Sequence, residues 1–452
     1  MKQRLKKLIA LGLAATLAFA IVGCGGSGDD KKTGGSTGNG NKVNQMGEIE
    51  GKSWEEILAE MPNELRGTTI TVYNWNPLSE YAGGTAVIED FTSQTGIEVK
   101  WVTEDFKTYL SKLTSMVASG EAPDVVRLRD PQVTGIQSLQ PTSAAGYDFT
   151  DGAWDQWVSD VYTLNGQNYG VALKNSPINS PGMLLYNKSL IEKYDLDDPY
   201  TLWKEGKWTY DKFVEVMKDY MAESGADFAC STRDWSEITS IFGVAGPVSF
   251  DGTKYVSELG NADFINATQK VADLQNTDHL LARWKADEFD AGKCLFWSGT
   301  AVHARRQNAY LATQKEAGNV FAVPYPVVEG QEEYSLYQEV EAYGIPQGAK
   351  NAAAVPYFLR YFMDAANYDM DTYFCSAQAF EVYQYCTNIE NKLWTTMYDI
   401  EWDFYGYSER DAFGAQVKEA TGANVVSVLD STGSSIDIRV ETLNGQLERL
   451  GK

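Results

Sequence analysis

Hydrophobic and polar positions alternate or repeat in two distinct rhythms along this chain. Trp54 to Met61 reads as a short amphipathic helix. Thr69-Ile70-Thr71-Val72-Tyr73-Asn74-Trp75 then alternates and is rich in β-formers, which predicts a strand ended by Asn76-Pro77. Val87, Ile88 and Phe91 fall at helical spacing, Thr95-Gly96 stops that helix, and Ile97 to Trp101 predicts a second strand. Phe106, Tyr109, Leu110, Leu113, Met116 and Val117 form the next helical stripe, closed by Gly120, and Asp124 to Leu128 predicts a third strand. Strand, helix, strand, helix, strand at these lengths implies βαβ units and a mostly parallel sheet. The same style continues. Strands are expected at Tyr169–Ala172, Gly182–Tyr186, Phe321–Pro324 and Ala342–Ile345. Thr209 is the expected N-cap of a helix carrying Asp211 in its first turn and Phe213, Val216, Met217 and Tyr220 on one face. Val355, Phe358, Leu359 and Phe362 line a later helix, and the remainder reads as largely helical.

The first residues break this pattern. Four basic groups at Lys2, Arg4, Lys6 and Lys7 precede an apolar run from Leu8 to Val22 that ends in Gly23-Cys24. The run falls short of the roughly 20 residues of a membrane span and has the layout of an export signal. Its end resembles a bacterial lipobox, with Cys24 as the lipidated residue. The following stretch, to about 46, is dominated by Gly, Ser, Asp, Lys, Asn and Thr and is expected to act as a soft tether. The formal charge of −24 disfavours nucleic acid and anionic membrane surfaces as partners. Cys230, Cys294, Cys375 and Cys386 lack metal-type spacing and are expected to be free and buried. On a shared helix, Cys375 and Cys386 would stand about 16 Å apart, beyond disulfide reach.

A run of local motifs, in order, resembles the extracellular solute-binding proteins of ABC sugar importers. These are the strand Ile70–Trp75; Phe91-Thr92-Ser93-Gln94-Thr95-Gly96-Ile97-Glu98-Val99; Ala118-Ser119-Gly120-Glu121-Ala122-Pro123-Asp124-Val125; Tyr169-Gly170-Val171 with Leu184-Leu185-Tyr186-Asn187-Lys188 and Trp208-Thr209; Phe289-Asp290-Ala291-Gly292-Lys293-Cys294 with Gly299; and Tyr343-Gly344-Ile345-Pro346-Gln347-Gly348-Ala349-Lys350-Asn351. The resemblance implies an α/β fold of the periplasmic-binding type II (Venus-flytrap) kind. Each of two lobes would be a mostly parallel sheet flanked by helices, with a helical C-terminal segment. It implies a signal peptide over 1–23, a tether over 24–46, a helical lead-in over 47–66, an N-terminal lobe of 67–177 and 343–390, and a C-terminal lobe of 178–342 and 391–452. The hinge crossings are expected between Asn175 and Ser180, near Glu341 to Gly344, and near 390. It also implies a monomer on the extracellular face of a bacterial cell membrane, lipid-anchored, binding a carbohydrate and handing it to permease subunits, with neither cofactor nor metal.

A sugar presents hydroxyls on its rim and C–H patches on its faces, so its pocket needs aromatic platforms and short polar or charged groups. The chain is 12% aromatic with 12 Trp. Position in the fold marks Trp75 and Asn76 after the first strand, Arg129 and Asp130 after the third with Arg127 beside them, and Ser180 at the first crossing. Trp235 in Thr232-Arg233-Asp234-Trp235-Ser236, Trp297-Ser298 at a strand-to-helix junction, and Trp402, with Trp394, in the C-terminal region complete the set. Each has an ordinary structural use as well: core packing for the Trp residues, a surface ion pair for Arg129 and Asp130, and a capped surface position for His303. Ser180 is not acidic and Leu128 stands near a position where maltose-binding protein has Trp, so maltose itself is not supported. Two other readings stay open. A cell-surface glycoside hydrolase needs two facing carboxylates, which 62 acids make easy to imagine but no local motif marks. A binding protein of the same shape for a polyamine or another non-sugar solute is the second.

Overall fold

The computed structural model describes residues 50–129, 133–177, 179–233, 235–244, 246–251, 253–328, 335–389, 392–393, 420 and 423–450. The lead-in helix Trp54–Glu60 starts at Ser53, whose hydroxyl and the Glu56 carboxylate cap each other's backbone N–H groups. The chain then builds β1 (Thr69–Asn74), β2 (Glu98–Thr103) and β3 (Val125–Arg129) through helices Gly84–Thr95 and Tyr109–Ser119. β1 lies between β2 and β3 and is parallel to both. Both helices end at a glycine, Gly96 and Gly120, with φ of 71° and 76°. That left-handed cap is open to glycine without a Cβ clash. A short β4 (Leu139–Gln140) and a hairpin of β5 (Thr163–Leu164) and β6 (Gln167–Asn168) follow.

The second sheet opens with β7 (Ser180–Asn187), buried at every position. It continues through β8 (Cys230–Thr232), β11 (Leu281–Arg283), β12 (Phe296–Thr300), β13 (Val320–Val323) and β14 (Leu336–Glu339), with β9 (Val248–Phe250) and β10 (Tyr255–Ser257) as a separate ribbon. One residue after β14 the chain enters β15 (Glu341–Pro346), which belongs to the first sheet. β16 (Lys392–Leu393) returns to the second sheet beside β14. The strand orders are β2-β1-β3-β15-β4 and β11-β8-β12-β7-β14-β16, with β13 also on β7. The parallel sets β1–β3 and β8, β11, β12 are the expected βαβ units. β7 and β15 run against their neighbours, because each begins at the seam between the sheets.

Val340 is therefore a passage between two α/β lobes, and 174–179 is the other strand-side passage. The Tyr169–Ala172 stretch makes only a bridge, Val171 to Tyr343, rather than a full strand. Helix Val355–Phe362 packs on the first lobe through Phe358 against Phe91. Helix Ala377–Thr387 packs instead on β7 and β13 of the second. The third passage thus lies between Phe362 and Ala377, ahead of the expected position near 390, because Arg305 and Phe374 bridge there. Helix Val425–Leu450 touches helix Ala262–Asn276 and β10 on the second lobe and Val133–Ile136 on the first. All four described cysteines are free and buried, as expected, but Cys375 precedes the helix that carries Cys386.

The core of the second lobe is aromatic. Phe296 is fully buried, with Phe213 at 5.1 Å and Trp208 at 6.3 Å between ring centroids. Phe296→Ala should lower unfolding stability by about 3–5 kcal/mol, since the hole keeps its walls of rigid rings. Urea unfolding followed by Trp fluorescence reads this directly.

Candidate functional site

Strand direction fixes where the two lobes can meet a ligand. β14 ends at Glu339, paired with Ser180 at the start of β7, so both mark the seam. β12 is antiparallel to β7, with Thr300 opposite Gly182, so the carboxyl end of β12 faces the seam. β8 and β11 are parallel to β12 and in step with it, so Thr232 and Arg283 end at the same edge. On the first lobe, β15 starts at the seam with Glu341 opposite Arg129, the last residue of β3. β1 and β2 run with β3. The carboxyl ends of β1, β2 and β3 on the first lobe thus face those of β8, β11, β12 and β14 on the second. Open α/β sheets bind ligands outside such ends.

Charged side chains fill the inner part of this edge. The Arg127 guanidinium pairs with the Glu341 carboxylate, and both are nearly inaccessible to water. Arg127 also donates to the Tyr81 hydroxyl at 3.0 Å, and Asn74 donates to the same oxygen at 3.1 Å. Arg129, from the first lobe, and Arg233, from the second, both pair with Glu339. Arg233 reaches Glu237 as well, at 3.0 Å. The Ser298 hydroxyl donates to Glu237 at 3.1 Å and lies 2.8 Å from the Tyr325 hydroxyl. Burial alone would raise the Glu339 pKa, but the attraction of Arg129 and Arg233 outweighs it and holds the group below its ordinary value. Burial, helped by repulsion from Arg233, pushes His303 down to about 3, so its imidazole is neutral near neutral pH. The Thr300 N–H donates to its Nδ1 at 3.2 Å. His303 is thus a buried cap rather than the expected surface one.

The expected site residues divide clearly. Trp75 is half-buried at the end of β1, edge-on to Phe106 and Tyr109, with the Arg127 guanidinium 4.6 Å from its ring centroid. Asn76 is held beside it: its N–H donates to Asn74 Oδ1 at 2.8 Å and its carbonyl accepts from Trp101 at 3.1 Å. Arg129 joins the seam network. Ser180 is buried in β7, and Arg305 donates to its hydroxyl at 3.4 Å. Ser298 supports Glu237 rather than facing solvent. Trp297 is 0% exposed, with its ring against His303 inside the second lobe, so it offers no free face. Trp235 opens helix Trp235–Thr239 directly after β8; its side chain lies outside what is described. Cys24, Asp130, Trp394 and Trp402 also lie outside the described residues.

Sequence reasoning missed Glu339, Glu341, Arg233 and Glu237. A signal was present. Arg127-Leu128-Arg129 and Glu339-Val340-Glu341 each carry like charges two apart in otherwise apolar stretches. Residues two apart on a strand share a face, so each pair needed a partner of opposite sign. Among the described residues, no group of three or more His, Cys, Asp or Glu is arranged to hold a metal ion.

The sequence profile of one family, described as bacterial extracellular solute-binding protein, matches residues 86–373. No curated protein matches in sequence. Solved structures match in shape over most of the chain. The galacto-N-biose/lacto-N-biose I-binding protein of the ABC transporter from Bifidobacterium longum, in complex with lacto-N-biose, is 15% identical with a TM-score of 0.63, over 83% of this chain and 98% of that one. UgpB from Mycobacterium tuberculosis, in complex with glycerophosphocholine, is 15% identical with a TM-score of 0.60, over 83% and 98%. The GacH receptor of Streptomyces glaucescens, solved unliganded and with acarbose, is 18% identical with a TM-score of 0.57, over 83% and 98%. These likenesses establish the two-lobed binding-protein fold.

Glu339 neutralises an arginine from each lobe, so Glu339→Gln should destabilise the protein by about 3–5 kcal/mol at neutral pH, as loss of one partner from a buried ion cluster does. The sign with pH follows from its depressed folded-state pKa. The unfolded chain binds the proton more readily, so this contribution is present above the ordinary value of 4.5 and is lost as pH falls below it. Unfolding midpoints measured from pH 7 to pH 3 should fall less steeply in the Gln variant than in the wild type.

Proposed function

Because the chain belongs to the bacterial extracellular solute-binding proteins, we propose that it is the lipid-anchored binding component of an ABC importer, taking up a carbohydrate between its lobes and presenting it to a membrane permease. The observation that carries this reading is the facing of strand ends from both lobes across one seam, with half-buried Trp75, whose ring the Arg127 guanidinium overlies, beside paired Arg and Glu groups. Rings stack on C–H faces, and charged groups make strong hydrogen bonds to hydroxyls. The structural relatives named above, two of them solved with sugar-like ligands, support the same class of ligand.

The lobes assigned on this reading take, of the described residues, those of 67–177 with 341–362, and those of 180–339 with 377–389 and 392–393. The carbohydrate bridges them only when they are closed, so it shifts the population toward the closed form by its difference in affinity for the two forms. The permease recognises that form. The lipobox and the polar stretch to about 46 support a lipid on Cys24 and a tether that leaves the lobes free beside the membrane. The protein works as a monomer and breaks no bond. The glycerophosphocholine bound by UgpB supports a second reading, in which the guest is a small polar solute other than a sugar.

A thermal-shift screen against mono- and oligosaccharides, with glycerophosphocholine and polyamines alongside, tests the ligand class. A sugar at 100 times its Kd should add about 2.7 kcal/mol of stability without being consumed. Release of smaller sugars during the incubation would identify an enzyme instead. Affinity for a neutral sugar should change little between low and high salt, whereas a steep fall would mark a charged guest. In cells, Cys24→Ala should abolish labelling by radioactive palmitate and release the protein into the medium.

A further inference from the structure

Four large apolar side chains are conspicuously exposed among the described residues: Trp284, Tyr310, Val426 and Ile438. The two aromatic ones both follow carboxyl ends of the second sheet. Trp284 is the residue after β11 and is 40% exposed. Tyr310 lies in the segment after β12, 46% exposed, with its ring 5.6 Å from that of His303. Since β11, β8 and β12 are neighbours in step, Trp284 leaves the sheet two strand spacings, about 10 Å, from the exit of β12. The β8 exit, with Arg233 of the buried network, lies between them.

The backbone of Trp284 supplies an independent observation. Its φ is 53°, in the left-handed region where a bulky side chain meets a steric penalty. Local contacts impose the conformation. The Trp284 N–H donates to the Thr232 carbonyl at 3.0 Å, and the next N–H, of Lys285, donates to the Ser231 hydroxyl at 2.9 Å. Glycine or asparagine would make the same turn at lower cost. Among the described residues the indole ring makes no ring contact, and two fifths of the residue stays exposed. Ring stacking within the protein therefore does not explain a tryptophan here, and strain kept at a partly exposed bulky residue points to use at the surface.

We infer that Trp284 is the stacking platform of the second lobe, laid against the C–H face of a sugar ring in the outer part of the cleft, while the hydroxyl rim turns toward the Arg–Glu floor. This rests on the carbohydrate reading above. It gives the ligand one aromatic wall from each lobe, Trp75 and Trp284, so that both faces of a ring or of two linked rings are covered only when the lobes are closed.

The test uses the mature protein and titration calorimetry with maltose, maltotriose, lacto-N-biose and tagatose. For any sugar that binds the wild type, Trp284→Gly should weaken binding roughly three- to tenfold, the range of a lost aromatic stack. Trp284→Phe should stay within about threefold. The melting temperature of unliganded Trp284→Gly should equal or exceed that of the wild type, because glycine relieves the left-handed strain. Loss of affinity with a retained or raised melting temperature sustains the inference. A Trp284→Gly protein that binds the sugar as tightly as the wild type overturns it and leaves the carbohydrate reading standing. A wild type that binds none of these sugars removes that reading, and the platform with it.

Discussion

A carboxylate cannot be taken from water unless its charge is answered, and at Glu339 the answer comes from both halves of the molecule. Arg129 is the last residue of β3 in the first lobe, and Arg233 follows β8 in the second. An unpaired ion at such depth would cost several kcal/mol. The lobes are therefore joined at this point by neutralisation rather than by apolar contact alone. One residue further on, Glu341 is neutralised by Arg127 within the first lobe. The single residue between them, Val340, is where the chain changes sheets. The crossing between sheets and the ion cluster are thus the same place.

That coincidence sets what the lobes can do. Glu339 is paired with arginines of both lobes, whereas the Arg127–Glu341 pair lies within the first, so on the proposed closing motion only the pairs of Glu339 span the moving parts. The apolar cores of the lobes are not asked to deform; Phe296 and its neighbours on one side and Phe91 and Phe358 on the other stay packed. A floor of matched charges also presents no net field to a guest. It offers hydrogen-bond donors and acceptors in fixed positions, which suits a neutral polyhydroxylated molecule better than an ion.

Much of this was legible before any coordinates. The order of strands and helices through β3, the capping of the helix at Thr209 and the buried free thiols among the described cysteines follow from period, glycine stops and turn chemistry. Single residues were harder. Trp297 and Ser298 were expected where a strand gives way to a helix, yet β12 runs on to Thr300, and Trp297 lies in the core and Ser298 on Glu237. Sequence position gives the edge of a sheet but not the face of a side chain. His303 is similar: a capped position near a helix start was expected, its burial and its partner Thr300 were not. The third passage came earlier than expected because Arg305 pairs with Phe374, a contact between stretches about seventy residues apart that no local pattern encodes.

The residues that escaped notice share a feature. Glu339 and Glu341 flank Val340 in a largely apolar stretch, so a reading by hydrophobic period treats them as interruptions, and Arg233 stands in a short polar run that reads as a loop. Trp284 escaped for the opposite reason: a tryptophan near a strand end reads as core by default, and only its left-handed φ and exposed ring set it apart. In both cases the local rule is broken in the folded state, by charge without water or by bulk without packing. Such breaches lower stability and persist only where something else depends on them. The Arg–Glu cluster and Trp284 lie along the seam-facing edges of the two sheets, and this placement supports the proposed cleft as the place where the molecule meets its ligand.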